Sequence, residues 1–135
     1  NGGVRETRNI KGMHVISAQE YLNAFHYEDS ISRGAHPIDI HASKGASQSV
    51  TFLEEPAYVP YRALIAEGFP NLLVAGRCLS ADRVAFASLR VQASCMGSGQ
   101  AAGVAAALAS ASGVAVQDVE VPALVAELKD MGAQL

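Results

Sequence analysis

Three groups of residues in this 135-residue chain have types and spacing that could do chemistry. The first is the apolar run Leu72-Leu73-Val74-Ala75, the turn Gly76-Arg77-Cys78-Leu79-Ser80, and a helix start within Ser88-Leu89-Arg90-Val91-Gln92. A strand, a turn and a helix start in that order aim unpaired backbone N–H groups and the positive end of a helix dipole at one place. Such a place favours an anion, or a ligand edge that gains negative charge. The same order is also what a plain helix packed on a sheet produces. The second group is His36, Asp39 and His41, of which Asp39 and His41 share one face of an extended segment. A metal site there would need a third strong ligand at a recognisable zinc spacing, and none exists, so a surface or hydrogen-bonded histidine is the ordinary outcome. His41 is the better candidate for proton exchange near neutral pH; its alternative role is to hold a loop backbone. The third group is Arg62, Arg77, Arg83 and Arg90, any of which could clamp a carboxylate or pyrophosphate bidentately or else form a surface ion pair.

The stretch Gly97-Ser98-Gly99-Gln100-Ala101-Ala102 fits the relaxed pattern G-x-G-x-x-A, but no strand precedes it and it falls inside a helical run. Helix packing, rather than a phosphate cradle, is the expected role, with Gly99 and Gly103 letting another backbone approach. Cys78 and Cys95 have no C-x-x-C spacing and sit among apolar neighbours, which predicts buried free thiols and a reducing, cytoplasmic setting. A redox dithiol is the sharper alternative, supported only by Arg77 beside Cys78.

The elements that must position these groups follow from pattern. Residues 9–16 have strand character, and Ser17-Ala18-Gln19-Glu20 is a capping box that opens a helix to about Phe25. Residues 26–50 read as a long shaped loop with extended structure only at Ile38-Asp39-Ile40-His41; loops of that length are usually functional. Short strands are expected over 50–53 and 58–64, and over 72–75 a strand buried on both faces of a parallel sheet. One helix of small residues is expected from about 88 to 111, then an amphipathic helix with Pro122 at its first position, the stripe Leu124, Val125, Leu128 and Met131, and a stop at Gly132.

Bulk properties exclude several partners. Half the residues are hydrophobic, enough to bury about two-thirds of the unfolded surface in a chain of this size. A net charge of -3 gives no basic field for nucleic acid. The uncharged run 91–117 is too rich in Ala, Gly and Ser to span a membrane. The opening Asn1-Gly2-Gly3 reads like a cut end rather than a signal peptide, and no expectation about targeting rests on it.

The segments Asn71 through Ser80, Ser88-Leu89-Arg90-Val91 and Met96 through Gly103 resemble, in order, the C-terminal signature of a large family of FAD-dependent oxidoreductases. Upstream, Arg5 through Gly12, Pro37 through His41 and Tyr58 through Leu64 resemble further segments of that family. The resemblance covers nearly the whole chain and implies a flavoprotein of the fumarate-reductase-like superfamily, with FAD as cofactor and a small molecule as substrate. In that family a Gly-rich strand-turn-helix holds the ADP half of FAD, and this segment is not found here. The implied fold is α/β: residues 71–135 form the C-terminal strand and helices of a doubly wound FAD-binding domain, and residues 1–70 the tail of a β-containing substrate or cap region.

By the same resemblance, Gly76, Arg77 and Ser80 face the cofactor, with Arg77 standing where relatives carry an acid and so favouring a phosphate. Ser88, Leu89, Arg90, Val91 and Gln92 would lie at a helix N-terminus against the flavin pyrimidine edge, although the Arg-Leu-Gly-Gly run of relatives is not reproduced. Arg62 and His41, with Arg5 and Arg8 behind them, are expected to orient an anionic or carbonyl-bearing substrate. The isolated chain is expected to be inactive and to self-associate. The alternative reading is a non-catalytic fragment or interaction module that binds no flavin alone.

Overall fold

The computed structural model describes residues 8–40 and 49–135. His41 and Arg5 lie outside the described residues, as do the site roles expected of them.

Helix α1 (Ala18–Leu22) opens on the expected capping box: the Ser17 hydroxyl accepts from the Glu20 N–H at 3.3 Å while the Glu20 carboxylate accepts from the Ser17 N–H at 2.9 Å. It stops earlier than Phe25, because Asn23 caps it and Ala24 turns left-handed at φ 46°. Two antiparallel ribbons follow. Strand β1 (Ser30–Gly34) pairs with β4 (Ala57–Pro60), and β2 (Ile38–Ile40) pairs with β3 (Ser49–Thr51). β1 corrects the reading of 26–50 as one loop. Ser30 and Ser32 are buried on one face and Ile31 on the other, so the strand shows none of the apolar–polar alternation that marks a half-buried strand in sequence.

Residues 9–16 and 72–75 also depart from expectation. The first is an extended segment with single bridges from Gly12 to Ala66 and from Ile16 to Ala81; the second touches its neighbour through one antiparallel bridge, Leu73 to Ile65. Leu72 is 41% exposed, so this run is no strand buried on both faces. Among the described residues the Ile16–Ala81 bridge is the one parallel pairing. Residues 58–64 form the end of β4 and then a 3-10 turn, Tyr61–Ala63.

The single helix expected from 88 to 111 is two helices. Helix α2 (Arg83–Leu89) ends at Arg90, Val91 takes an extended conformation (φ -78°, ψ 160°), and helix α3 (Gln92–Ser112) begins after it. Asp82 caps α2 by accepting from the N–H groups of Val84 and Ala85 with one oxygen, while its other oxygen accepts from the N–H of Ala18. One carboxylate thereby fixes the starts of α1 and α2 to each other. Helix α4 (Val121–Asp130) carries Pro122 in its first turn, buries Leu124 and Leu128, and is followed by Gly132 at φ 80°.

A contiguous core joins Ile16, Tyr21, Ile31, Leu64, Leu79, Leu89, Ala101, Ala105 and Leu128, passing through both sides of position 70. The close approach to α3 is at Gly97, where a Cβ would lie 3.1 Å from the Ser32 Cβ. Among the described residues nothing lies within 4 Å of the corresponding positions on Gly99 and Gly103, so the close backbone approach expected at these two glycines is found at Gly97 instead. The mixed helical and antiparallel architecture is consistent with an α/β class. Among the described residues no helix is long and apolar enough to cross a membrane.

Candidate functional site

Four of the expected cofactor residues meet at one cavity. Arg77, Arg90, Val91 and Gln92 line a space of about 340 Å³ together with His36, Asp39 and Ala87. Each wall has a local cause. Gly76 takes φ 69° to turn the chain into the 3-10 turn Gly76–Cys78, and its N–H donates to the Ser98 hydroxyl of α3 at 3.1 Å. A Cβ here would meet the Cys95 sulfur at an ordinary 3.6 Å, so the left-handed backbone, and not crowding, favours glycine. The turn carries Arg77 to the cavity edge.

Arg90 is nearly buried, and its guanidinium Nη2 donates to the Asp39 carbonyl at 3.0 Å. The chain then breaks at Val91, so the cavity wall contains the start of the 21-residue helix α3, whose N-cap valine makes no capping hydrogen bond and whose first turn has no side-chain cap among the described residues. Uncapped N–H groups and the dipole of a long helix add positive potential to a lining of two arginines and one aspartate.

Ser88 and Leu89 stand behind this wall and do not line it: both are fully buried. The Ser88 hydroxyl donates to the His36 carbonyl, which leaves it accepting from the Tyr21 hydroxyl at 2.9 Å. This buried chain ties the loop bearing His36 to α1 and α2. Ser80 is also buried, packed against Gly12, and its hydroxyl oxygen has no hydrogen-bond partner among the described residues. Its backbone is committed, donating to Ala63 and accepting from Ile16. Arg8 is exposed.

His36 and Asp39 were read from sequence only as possible metal ligands. Among the described residues no group of three His, Cys, Asp or Glu is placed to hold a metal ion. The alternation Ile38-Asp39-Ile40, with Ile38 buried, was the signal that turns Asp39 away from the core. Both cysteines are free thiols, but Cys78 is exposed rather than buried. Partial burial pushes the Cys95 thiol up, and the nearby Arg77 charge opposes that shift.

Arg62 lies elsewhere. It lines a second cavity of about 710 Å³ with Met13, Phe25, Tyr27, Asp29 and Gln117 among its neighbours, and the two cavities share no lining residue. Asp29 accepts three bonds from Arg62: from the backbone N–H at 3.0 Å, from Nε at 3.0 Å and from Nη2 at 3.1 Å. Burial works to raise the Asp29 pKa, but these bonds and the guanidinium charge outweigh it and hold the carboxyl below its ordinary value. On the same wall, burial pushes the Tyr61 phenol up to about 12, and its hydroxyl donates to the Val116 carbonyl at 2.6 Å.

The model of the FAD dependent oxidoreductase family matches residues 1–128. No curated protein and no solved structure matches the chain significantly. With the match spanning almost its whole length, the chain belongs to the FAD dependent oxidoreductase family.

Proposed function

We propose that this chain is the C-terminal part of a flavoprotein oxidoreductase of the fumarate-reductase-like superfamily, and that the cavity between Arg77 and Gln92 takes the flavin side of FAD. On this reading residues 71–135 close a doubly wound FAD-binding domain and residues 1–70 are the tail of its substrate or cap region. The supporting observation is convergence: the turn bearing Arg77 and the helix break at residues 90–92, which bears both Arg90 and the start of α3, reach one cavity from two separate segments.

The residues present suit part of the cofactor. A cavity of about 340 Å³ is at the lower end of the ligand-pocket range of about 300–1,000 Å³, smaller than a whole dinucleotide requires. Its donors are of the kind that recognise phosphate or a ring edge that becomes anionic. When bound, FAD supplies the electron or hydride transfer itself.

The chain's own residues bind and orient. Arg77, exposed at the cavity edge, neutralises phosphate charge. Arg90, held by the Asp39 carbonyl, presents a fixed cation, and the N–H groups at the start of α3 complete the donor set. Ser88 and Leu89 act from behind, holding the helix break and the His36 loop in place. Arg62 binds a small-molecule substrate at its own cavity.

The test is visible absorption of the chain after incubation with FAD and gel filtration, repeated with Arg77→Ala and Arg90→Ala. Flavin bands that co-elute with the protein and fade in both variants support the reading. If neither this chain nor a longer form carrying the Gly-rich segment changes its flavin content on these substitutions, the cavity is not the flavin site.

A further inference from the structure

We infer that the cavity beside Arg62 binds an uncharged carbonyl compound with an apolar body, such as a ketone, enone or quinone. This rests on the placement of Arg62 at the substrate and makes no use of the flavin reading. At about 710 Å³ the cavity is well within the range that holds small molecules. Met13, Phe25 and Ile65 give it apolar walls, and Phe25 and Met13 are half exposed, as residues at an open mouth are.

Its polar side is set by one pair. A guanidinium has five N–H donors, and Asp29 takes those on Nε and one on Nη2. The outer edge keeps its remaining donors, and the side chain is 49% exposed while Asp29 is 8% exposed. Arg62 is therefore locked in place with an accessible donor edge beside the cavity, and Gln117 adds an amide to the same lining.

Charge then selects the acceptor. Asp29 offsets the Arg62 cation, and Glu28 also lines the cavity, so an entering carboxylate meets two carboxylates against one guanidinium. An ammonium ion finds Asp29 buried and engaged behind Arg62, and the exposed guanidinium edge in front of it offers donors and no acceptor. A neutral carbonyl oxygen accepts from that edge with neither repulsion, and its apolar body covers the aromatic and aliphatic wall.

Three probes of one shape and different charge test this on the unaltered chain without flavin: acetophenone, benzoate and benzylammonium, followed by amide correlation spectra. Acetophenone is expected to shift the Arg62 and Gln117 amides saturably and at lower concentration than either ion. Replacing the pair as Asp29→Asn with Arg62→Met removes the donor edge without leaving a buried charge, and should weaken acetophenone roughly fivefold, the worth of one hydrogen bond. Tighter binding of either ion, or no saturable shift with acetophenone, overturns the inference; if the double variant does not fold, the three-probe comparison still decides. Failure of the flavin reading shows instead as absent flavin bands after gel filtration and leaves these spectra unchanged.

Discussion

Asp29 illustrates how one side chain sets both stability and site geometry. Its carboxylate is buried and takes three bonds from Arg62, which keep its pKa below the ordinary value in the folded state. A depressed carboxylate pKa contributes stability that is complete above the unfolded pKa, about 3.9, and is lost as pH falls through the folded one. Glu20 acts in the same direction: burial raises its pKa, but hydrogen bonds from Ser17 and the charge of His14 lower it further. The melting temperature should therefore fall as pH drops below about 4. Asp29→Asn should flatten that fall and cost about 1–3 kcal/mol at neutral pH, read by thermal unfolding across a pH series. A wild-type acid profile that the substitution leaves unchanged would remove Asp29 from this role. Ser88 makes a comparable case without charge. Ser88→Ala leaves the buried Tyr21 hydroxyl and the His36 carbonyl without their shared partner, so a loss of about 1–3 kcal/mol is expected in denaturant titration. A loss below a few tenths of a kcal/mol would mean that water replaces the hydroxyl.

At the scale of elements, Asp82 joins two helix starts, and its two oxygens have separable jobs. Asp82→Asn keeps an oxygen for the Val84 and Ala85 N–H groups but turns an amide donor toward the Ala18 N–H, whereas Asp82→Ala loses both. The alanine variant should lose about 2 kcal/mol, and the asparagine variant a smaller part of that, in urea unfolding. Equal losses would place the whole effect on the link to α1. Gly12 is a steric counterpart. A Cβ there would come within 2.7 Å of the Ser80 Cβ, and Gly12→Ala should cost about 1–3 kcal/mol by overpacking. These local features also show what could be read from sequence. The Ser17-to-Glu20 box and the Leu124, Leu128 stripe were legible because caps and helical periodicity are local signals. Strand β1 was not, since burial of Ser30 and Ser32 depends on how close α3 comes at Gly97. The break between α2 and α3 was also hidden: neither Arg90 nor Val91 is a glycine or proline, and the reach of Arg90 to the Asp39 carbonyl is a tertiary contact. At the site, Arg77 and Arg90 were legible as candidates from resemblance, while His36 and Asp39 came to the same cavity only through the fold.

For the whole molecule, the remaining question is what the outer face of α3 meets. Its small residues pack inward at Ser94, Ser98, Ala101, Ala105 and Ala109, and the opposite side carries no stripe of charge to replace them. Between α3 and α4 this leaves an apolar groove of about 440 Å³ lined by Gly103, Val104, Ala107, Leu108, Ala111, Glu127 and Met131. Met96, on the same helix, is 74% exposed, and Phe52, on another surface, is 76% exposed. Single exposed apolar side chains are ordinary, but this groove adjoins a long uncharged helix face, and together they offer a second copy a surface without charge. The net charge of -3 provides little repulsion between copies. The isolated chain should therefore form a dimer or a larger species, measured by light scattering over a concentration series. Ala107→Glu places a charge in the middle of the groove, where it faces solvent in a monomer and would be desolvated against a partner. It should shift the population toward monomer while leaving the melting temperature of the fold nearly unchanged. A chain that is monomeric at every concentration shows that the groove tolerates water. Association that Ala107→Glu does not weaken assigns the contact to another surface, with Phe52 the next to replace.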